Sequence, residues 1–159
     1  MKIATIGIYA WTLESFLAAL RAADVQVVLD VRQRRGVRGT EYAWANSLRV
    51  QAALENAGIE YQHHKELAPT TDLRQAQYAD DARQGIGKRS RAELAPEYRR
   101  RYLEEILDAV DLAKLVRELP TEGVGALMCV ERDAEACHRS LIAERLAAEY
   151  GVSVINLRP

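Results

Sequence analysis

Short apolar runs alternate along the chain with segments in which apolar residues recur every three or four positions. Runs of about four to eight branched or aliphatic residues are typical of strands, and the longer periodicity is typical of helices that pack one face on a sheet. The run at 25–31 is apolar at nearly every position, which favours a strand covered on both faces in a parallel sheet. Strands are predicted at 2–8, 25–31, 59–63, 124–130 and 152–157.

Helices fill the intervals between the predicted strands. Thr12 is a suitable N-cap for the first helix, although Ser15 stands where a capping box would have Glu. Pro96 suits the first turn of a later helix, and residues 112–119 either extend that helix or start another. The last helix is predicted at 136–150. This order predicts an α/β fold, a three-layer α/β/α domain with a mainly parallel sheet of about five strands and a helical insertion.

Residues 65–96 interrupt the alternation of predicted strands and helices. This segment has few branched apolar residues and many charges, and Pro69 and Pro96 lie near its ends. Such a composition is typical of a surface insertion rather than of a strand or a core helix. We therefore predict a single domain over residues 1–159, in which 65–96 forms an insertion or lid that is partly helical and less ordered than the sheet.

Length, charge and cysteine content narrow the class of protein. A chain of 159 residues is typical of one domain, and its net charge of -1 excludes a general polycation, so contact with nucleic acid would need a local basic patch. No apolar run approaches the ~20 residues that cross a bilayer, and the sequence enters a strand at once. We expect neither membrane association nor a signal peptide. The two cysteines fit a reduced cytoplasmic protein better than a disulfide scaffold.

Chemically distinctive residues lie at the predicted carboxyl ends of the strands. In parallel α/β sheets this is the edge where ligands bind, so we expect a site there. The residues are Gly7 and Tyr9 after the first strand, Asp30 and Arg32 at the second, His63 and His64 at the third, and Cys129 and Glu131 at the fourth.

Cys137, His138 and Arg139 open the last predicted helix. A helix N-terminus attracts anions and lowers the pKa of a thiol, so Cys137 is a candidate nucleophile or redox thiol. His138 or His63 would be its base, and Arg139 would stabilise an anion. The alternative is that Cys137 packs on the sheet as a small apolar residue. The candidate catalytic residues are Cys137, His138, Cys129, Glu131 and His63.

A metal site on Cys129, Cys137, His138 and Glu131 is the weaker hypothesis for this stretch. Thiolate and imidazole ligands suit zinc, but the sequence has no C-x-x-C pair. Adjacent side chains on a helix also point about 100° apart, so Cys137 and His138 would face in different directions if both were helical. We predict no metal and no cofactor.

Two basic stretches are candidates for anion binding. Four arginines and two glycines lie between residues 32 and 39, and planar guanidinium donors on such a loop suit a phosphate, although Asp30 and Arg32 could instead form an internal salt bridge. Residues 83–101, including Lys88, hold seven basic and two acidic residues, which is typical of a solvated helical face or of a nucleic-acid contact surface. The predicted ligand-binding residues are Gly7, Tyr9, Asp30, Arg32, Arg38 and Arg139.

Together these residues resemble the DUF488 family of domains of unknown function. The resemblance is carried by Thr5-Ile6-Gly7, by Asp30-Val31-Arg32, and by the run from Cys129-Val130-Glu131 to Cys137-His138-Arg139-Ser140. The Arg35-Gly36-Val37-Arg38-Gly39 loop is similar to one branch of that family. Many members have His where this chain has Ile8, so any role of that histidine would be missing or displaced here. The resemblance implies an α/β domain with a shared polar pocket and no particular reaction.

Three functions are consistent with the sequence, and it does not decide whether the protein is an enzyme. The first is a module that binds a phosphate-bearing small molecule or nucleic acid at the carboxyl ends of the strands. The second is a cysteine-dependent enzyme or redox protein that uses Cys137 with His138 and Arg139. The third is a structural or interaction protein. We favour the first, because anion-binding groups are plentiful while no complete catalytic triad can be named.

Overall fold

The computed structural model of the chain describes residues 1–87 and 89–159 in full and only the backbone of Lys88. Its strands are β1 (Lys2–Ile6), β2 (Val25–Asp30), β3 (Glu60–His63), β4 (Val124–Met128) and β5 (Ser153–Asn156). They form one sheet in the order β3-β2-β4-β1-β5, and every neighbouring pair is parallel. The predicted α/β class and five-stranded parallel sheet are confirmed.

Helices cover both faces of this sheet, as the apolar run of β2 predicts. They are α1 (Leu13–Ala22), α2 (Ser47–Asn56), α3 (Thr71–Arg83), α4 (Pro96–Glu105), α5 (Leu112–Glu118) and α6 (Arg139–Tyr150). Successive side chains of a strand point to opposite faces. Ala4 accordingly packs with α1 and α2 in one buried apolar cluster, whereas Ile3 packs with α3 to α6 in the other. No helix in the described part of the chain is both long and apolar enough to span a bilayer.

Local sequence signals account for several helix ends. The Ser15 side chain accepts a hydrogen bond of 3.0 Å from the Thr12 backbone, and the Thr12 side chain accepts one of 3.1 Å from the Ser15 backbone, so Ser15 completes the capping box that Glu usually forms. Gly151 ends α6 in the left-handed conformation, with φ of 65°. The segment at 112–119 starts a separate helix, since α4 stops at Glu105.

One boundary differs from the prediction in a way that decides the shape of the site. The helix predicted at 136–150 begins only at Arg139, after a 3-10 turn over Ala134–Ala136. Cys137 is extended, with φ of -140° and ψ of 148°, and His138 is the N-cap. The argument that Cys137 and His138 diverge by about 100° therefore does not apply, since it requires both residues to be helical.

The segment 65–96 is built around α3. Leu73 of α3 is fully buried in the larger core cluster. The Gln77 side chain accepts a hydrogen bond of 2.9 Å from the backbone N–H of Ala95, which joins α3 to the start of α4. The segment is therefore part of the same packed core, and its role as a lid stays a prediction.

The order of the strands creates a topological switch point. From β2 the chain continues to β3 at one edge of the sheet, and from β4 it continues to β5 at the opposite edge. In open parallel sheets such a reversal produces a crevice at the carboxyl ends of the two strands. Residues that follow Asp30 and Met128 border this crevice, and they include Arg32, Cys129 and Glu131.

Candidate functional site

A cleft of about 840 Å³ lies at the carboxyl ends of β1, β2 and β4. Residues that follow these strands line its sheet side, and α3 with the segment after it forms the opposite side. This part of the segment 65–96 therefore lies across the cleft from the strand ends. We call Cys129, Cys137 and His138 the floor of the cleft and the exposed arginines Arg34, Arg38 and Arg89 its rim.

The three floor side chains converge although they come from two separate segments. Their two sulfur atoms and one ring nitrogen all lie within 4.8 Å of one another. His138 Nδ1 is 3.9 Å from Cys129 Sγ and 3.6 Å from Cys137 Sγ. Each residue is at most 5% exposed, yet all three line the cleft. The floor is thus a compact, buried group of two sulfur atoms and one imidazole nitrogen.

A backbone carbonyl fixes the orientation of His138. Its Nε2 lies 2.8 Å from the carbonyl oxygen of Val31, which follows β2. A carbonyl only accepts hydrogen bonds, so Nε2 carries a proton, and Nδ1 is the ring nitrogen that faces the sulfur atoms. The Tyr102 ring packs 5.5 Å from the imidazole between ring centres, which holds the other side of the ring.

The surroundings shift the pKa values of the two thiols in opposite directions. Burial acts to raise the pKa of Cys137, but the hydrogen bond with Cys129 and the charges of His138 and Arg139 outweigh it and hold that pKa well below its ordinary value. The pKa of Cys129 is raised well above its ordinary value, first by the same hydrogen bond and then by burial. Burial acts to lower the pKa of His138, but the negative charge of Cys137 and the hydrogen bonds of the ring to Cys137 and to the Val31 carbonyl together outweigh it and raise that pKa. The site favours a negative charge on Cys137 rather than on Cys129.

Arg91 closes one wall of the cleft and was missed as a site residue. Its guanidinium bonds Asp81 of α3 at 2.7 Å, the Glu131 carboxylate at 3.2 Å and the carbonyl oxygen of Ala136 at 3.0 and 3.1 Å. It is 9% exposed and joins the insertion to the loop that leads to the floor. The candidate catalytic residue Glu131 is therefore in the cleft, with its carboxylate held by Arg91. No local pattern separates Arg91 from the surface arginines around it.

Two predicted anion-binding arginines are bonded within the protein. Arg32 Nη2 and Nε lie 2.8 and 2.9 Å from the Asp30 carboxylate, and Nη1 bonds the carbonyl oxygen of Ala45 at 2.9 Å. The internal salt bridge considered for this pair is thus present, and neither residue is more than 2% exposed. Arg139 bonds the backbone carbonyls that follow β4, at 2.8 Å to Glu131. Arg32 borders the cleft and Arg139 does not, so the two guanidinium groups shape the loops around the floor.

Gly7 and His63 lie outside the cleft lining. A Cβ atom on Gly7 would stand 1.8 Å from the carbonyl oxygen of Glu131, so this glycine permits the loops after β1 and β4 to touch. The close approach that we expected at Gly7 is to the protein's own backbone. His63 Nε2 is 3.0 Å from the carbonyl oxygen of Arg32, and His64 lies between Gln62 and Glu66.

The rim is exposed and basic. Arg34 and Arg38 form no ion pair within the described residues, and Arg89 lies 4.5 Å above the ring of Tyr9 and 3.8 Å from Glu41. Six arginines but only two carboxylates line the cleft, counted over the part of the chain with described side chains. The lining is therefore much more basic than the chain as a whole, whose net charge is -1.

The basic run at 83–101 is distributed differently. Arg99, Arg100 and Arg101 each pair with at least one carboxylate on the surface, and Arg83 pairs with Asp80. Arg91 is buried, Arg89 belongs to the rim, and the side chain of Lys88 lies outside the described residues. The excess of basic residues in this part of the sequence therefore does not form one continuous basic face among the described side chains.

Comparison with known proteins assigns the chain to a family. Neither the curated proteins nor the solved structures gave a match. Residues 12–146 match the family described as "Domain of unknown function DUF488". This range covers most of the chain and includes Cys129, Cys137 and His138. The resemblance that the sequence predicts is thereby confirmed, and the chain belongs to the DUF488 family.

Proposed function

We propose that the protein binds a small phosphate-bearing ligand, of the size of a nucleotide, in this cleft. The observation that carries the proposal is the charge of the lining, with six arginines against two carboxylates in a chain of net charge -1. A concave site lined by one sign of charge concentrates ligands of the opposite sign. Guanidinium groups match the oxygen geometry of phosphate in particular.

The dimensions of the cleft favour a nucleotide over a nucleic-acid duplex. Small-molecule sites commonly occupy about 300–1,000 Å³, and the volume of about 840 Å³ falls in this range. The surface pairing of Arg99, Arg100 and Arg101 with carboxylates also leaves little basic area for a long polyanion. Tyr9 and Arg89 both line the cleft, and Arg89 lies over the Tyr9 ring, so the guanidinium plane is the surface of this pair on which a base would stack.

Arg34 and Arg38 are the residues we assign to the phosphate. Both line the cleft, both are exposed, and neither is held by an ion pair in the described structure. A Cβ atom on Gly36, which lies between them, would have no neighbour nearer than 3.9 Å, so the loop has room for a ligand to approach. Arg32 and Arg91 would bind a phosphate only by giving up internal bonds.

Calorimetric titration tests the proposal with a graded set of probes. We expect adenosine 5′-triphosphate to bind more tightly than adenosine 5′-monophosphate, and inorganic phosphate to bind weakly. Adenosine without phosphate and the dicarboxylate succinate test the base and the anion separately. Because the contacts are partly exposed, added salt weakens the binding by screening. Equal binding of adenosine and its phosphates would contradict the assignment.

Paired variants locate the binding site. Losing a hydrogen bond to a charged group costs about 1.5–3 kcal/mol, so Arg34→Gln and Arg38→Gln should each weaken triphosphate binding roughly tenfold or more. Arg117→Gln is the matched control, because Arg117 is exposed and lies outside the cleft. Unchanged affinity in the double variant Arg34→Gln/Arg38→Gln would reject these two arginines as the phosphate ligands.

A second candidate function is cysteine-dependent chemistry, which the pairing of Cys137 with His138 favours. Cys137 Sγ is 3.6 Å from His138 Nδ1 and borders the cleft. Alkylation by iodoacetamide probes whether Cys137 is nucleophilic, since the sulfur forms a bond to carbon as iodide leaves. In chelator-treated, folded protein, a nucleophilic Cys137 should react faster than Cys129. Reaction of both thiols only on unfolding would reject a nucleophilic role.

A further inference from the structure

We propose that Cys129, Cys137 and His138 form a binding site for a divalent transition-metal ion of the zinc class, with one coordination position open to the cleft. The proposal replaces the sequence-based expectation of no metal, which rested on the lack of a C-x-x-C pair and on Cys137 and His138 both being helical. It goes beyond anion binding and does not depend on which ligand enters the cleft.

The spacing of the donor atoms fits tetrahedral coordination. Zinc bonds of about 2.3 Å to sulfur and about 2.0 Å to nitrogen place a sulfur and a nitrogen ligand about 3.5 Å apart at tetrahedral angles. His138 Nδ1 is 3.6 and 3.9 Å from the two sulfur atoms, and all three donors lie within 4.8 Å of one another. Tetrahedral bonds place two sulfur ligands about 3.8 Å apart. The nitrogen–sulfur distances therefore need only small adjustments, and the two sulfur atoms, which lie within 4.8 Å, would approach each other by at most about 1 Å.

The histidine is already oriented as a metal ligand. Metal-bound imidazoles usually donate their second ring N–H to a carbonyl or carboxylate, which sets the tautomer and the direction of the ring. The bond from His138 Nε2 to the Val31 carbonyl oxygen, at 2.8 Å, is of this kind. Among the described residues, the buried Nδ1 reaches only the two sulfur atoms, at 3.6 and 3.9 Å, so nitrogen and sulfur already face one another across the position that a metal ion would take.

Charge balance also favours a divalent cation. Two thiolates and a neutral imidazole neutralise an ion of charge +2, so the loaded floor would place no net charge in a nearly dry region. Thiolate and imidazole ligands select zinc and related soft ions over magnesium and calcium.

The fourth position faces the cleft. No further histidine, cysteine or carboxylate of the described residues joins the cluster, so the protein supplies three ligands. Three protein ligands and one open position are typical of catalytic rather than structural zinc sites. The position is therefore available to water or to an oxygen atom of a ligand held by the rim.

The test begins with the metal content of tag-free protein, without any cleft ligand present. We expect close to one zinc ion per chain, and we expect cobalt(II) added to chelator-treated protein to give a thiolate-to-cobalt charge-transfer band and intense visible bands of tetrahedral cobalt. Zinc should protect both cysteines from iodoacetamide. Folded protein that lacks the charge-transfer band and whose cysteines react equally with and without zinc would overturn the proposal.

Variants assign the ligands. Cys129→Ser and His138→Gln should weaken zinc binding at least about 100-fold in chelator competition, because each removes a direct ligand. His63→Gln is the matched control, since His63 lies outside the cleft, and it should bind zinc like the unmodified chain. Should a ligand variant fail to fold, as seen by circular dichroism, the cobalt spectrum and thiol protection of the unmodified chain still decide. These readouts are independent of phosphate binding, so failure of one proposal leaves the other measurable.

Discussion

Arginine has opposite roles in two parts of the site: around the cleft floor it binds the protein itself, and on the cleft rim it is open to solvent. Behind the floor, Arg32 and Arg139 are at most 2% exposed, and their guanidinium groups bond protein oxygens. On the rim, Arg34 and Arg38 are exposed and form no ion pair within the described residues. Arg32 and Arg34 are two positions apart in the sequence. The comparison teaches that residue type alone does not identify a ligand-binding arginine; its burial and its existing partners do.

The same comparison predicts which substitutions affect stability and which affect ligand binding. Removing one partner of a buried ion pair leaves a charge without compensation in a region of low dielectric. Removing an exposed charge leaves its surroundings solvated by water. We therefore expect substitutions behind the floor to change the free energy of unfolding and substitutions on the rim to change ligand affinity.

The largest effect is expected at the buried pair of Asp30 and Arg32. Asp30→Asn keeps the shape of the side chain but leaves the buried Arg32 without its counter-charge. We expect a loss of about 3–5 kcal/mol in the free energy of unfolding, measured by urea denaturation. The double variant Asp30→Leu/Arg32→Met, which removes both charges, should lose less than the sum of its single variants. A loss below about 1 kcal/mol in Asp30→Asn would show that the pair is not structural.

A smaller loss is expected where the loops after β1 and β4 touch. Gly7→Ala would place a Cβ atom 1.8 Å from the carbonyl oxygen of Glu131, so one loop must move. Overpacking of this kind costs about 1–3 kcal/mol, and we expect a loss in this range in urea denaturation. Gly36→Ala is the matched control: its nearest neighbour would be 3.9 Å away, and its stability should be unchanged or slightly higher. Equal stability of the two variants would reject the contact.

Periodicity and local signals predicted most of the fold. The apolar run of β2 indicated a parallel sheet covered on both faces, and Pro96 marked the start of α4. The strand ends then pointed to the edge at which the cleft lies. These features follow from local patterns and from one general rule of sheet geometry, which is why a single sequence is enough to predict them.

The details of the floor and walls depend on contacts between distant residues. The convergence of Cys137 and His138 required an extended residue before α6, and the chain carries no signal that moves the helix start from 136 to Arg139. Arg91 bonds Glu131, 40 positions away, and Arg32 bonds Ala45. Whether an arginine is buried is decided by such tertiary contacts, so composition alone left the internal and ligand-binding interpretations of Arg32 open.

Tyr61 gives a further test of the buried Asp30–Arg32 pair, because the stability that its hydroxyl adds next to Asp30 depends on pH. Its hydroxyl donates a hydrogen bond of 2.6 Å to Asp30, and burial first and this bond second raise the pKa of Tyr61 above its ordinary value. A raised folded-state pKa gives stability that is complete below the unfolded-state value of about 10 and is lost as pH rises through the folded-state value. Tyr61→Phe should therefore cost about 1 kcal/mol at pH 8.

The measurement for Tyr61 is urea denaturation of both proteins at several pH values. The deficit of Tyr61→Phe should shrink above about pH 10, because the unfolded unmodified chain then gains stability by ionising Tyr61, which the folded chain holds protonated beside Asp30. Tyr78→Phe is a comparison at a half-buried tyrosine of the cleft wall that does not bond the Asp30 carboxylate. A deficit that stays constant from about pH 8 to about pH 11 would mean that the hydroxyl does not titrate beside Asp30.

The smallest change in stability is expected on the rim. Surface substitutions away from buried features usually change the free energy of unfolding by less than about 0.5 kcal/mol, so the double variant Arg34→Gln/Arg38→Gln should unfold like the unmodified chain. Removing two like charges from a basic cleft can even relieve repulsion, and that gain should diminish with added salt. A loss above about 1 kcal/mol would mean that the rim arginines hold the loop in place, and the division between a structural floor and a ligand-binding rim would then fail. Because Asp30→Asn is measured in the same assay, the two results together set the scale: a large loss at the buried pair with none at the rim is the pattern that burial and existing partners require.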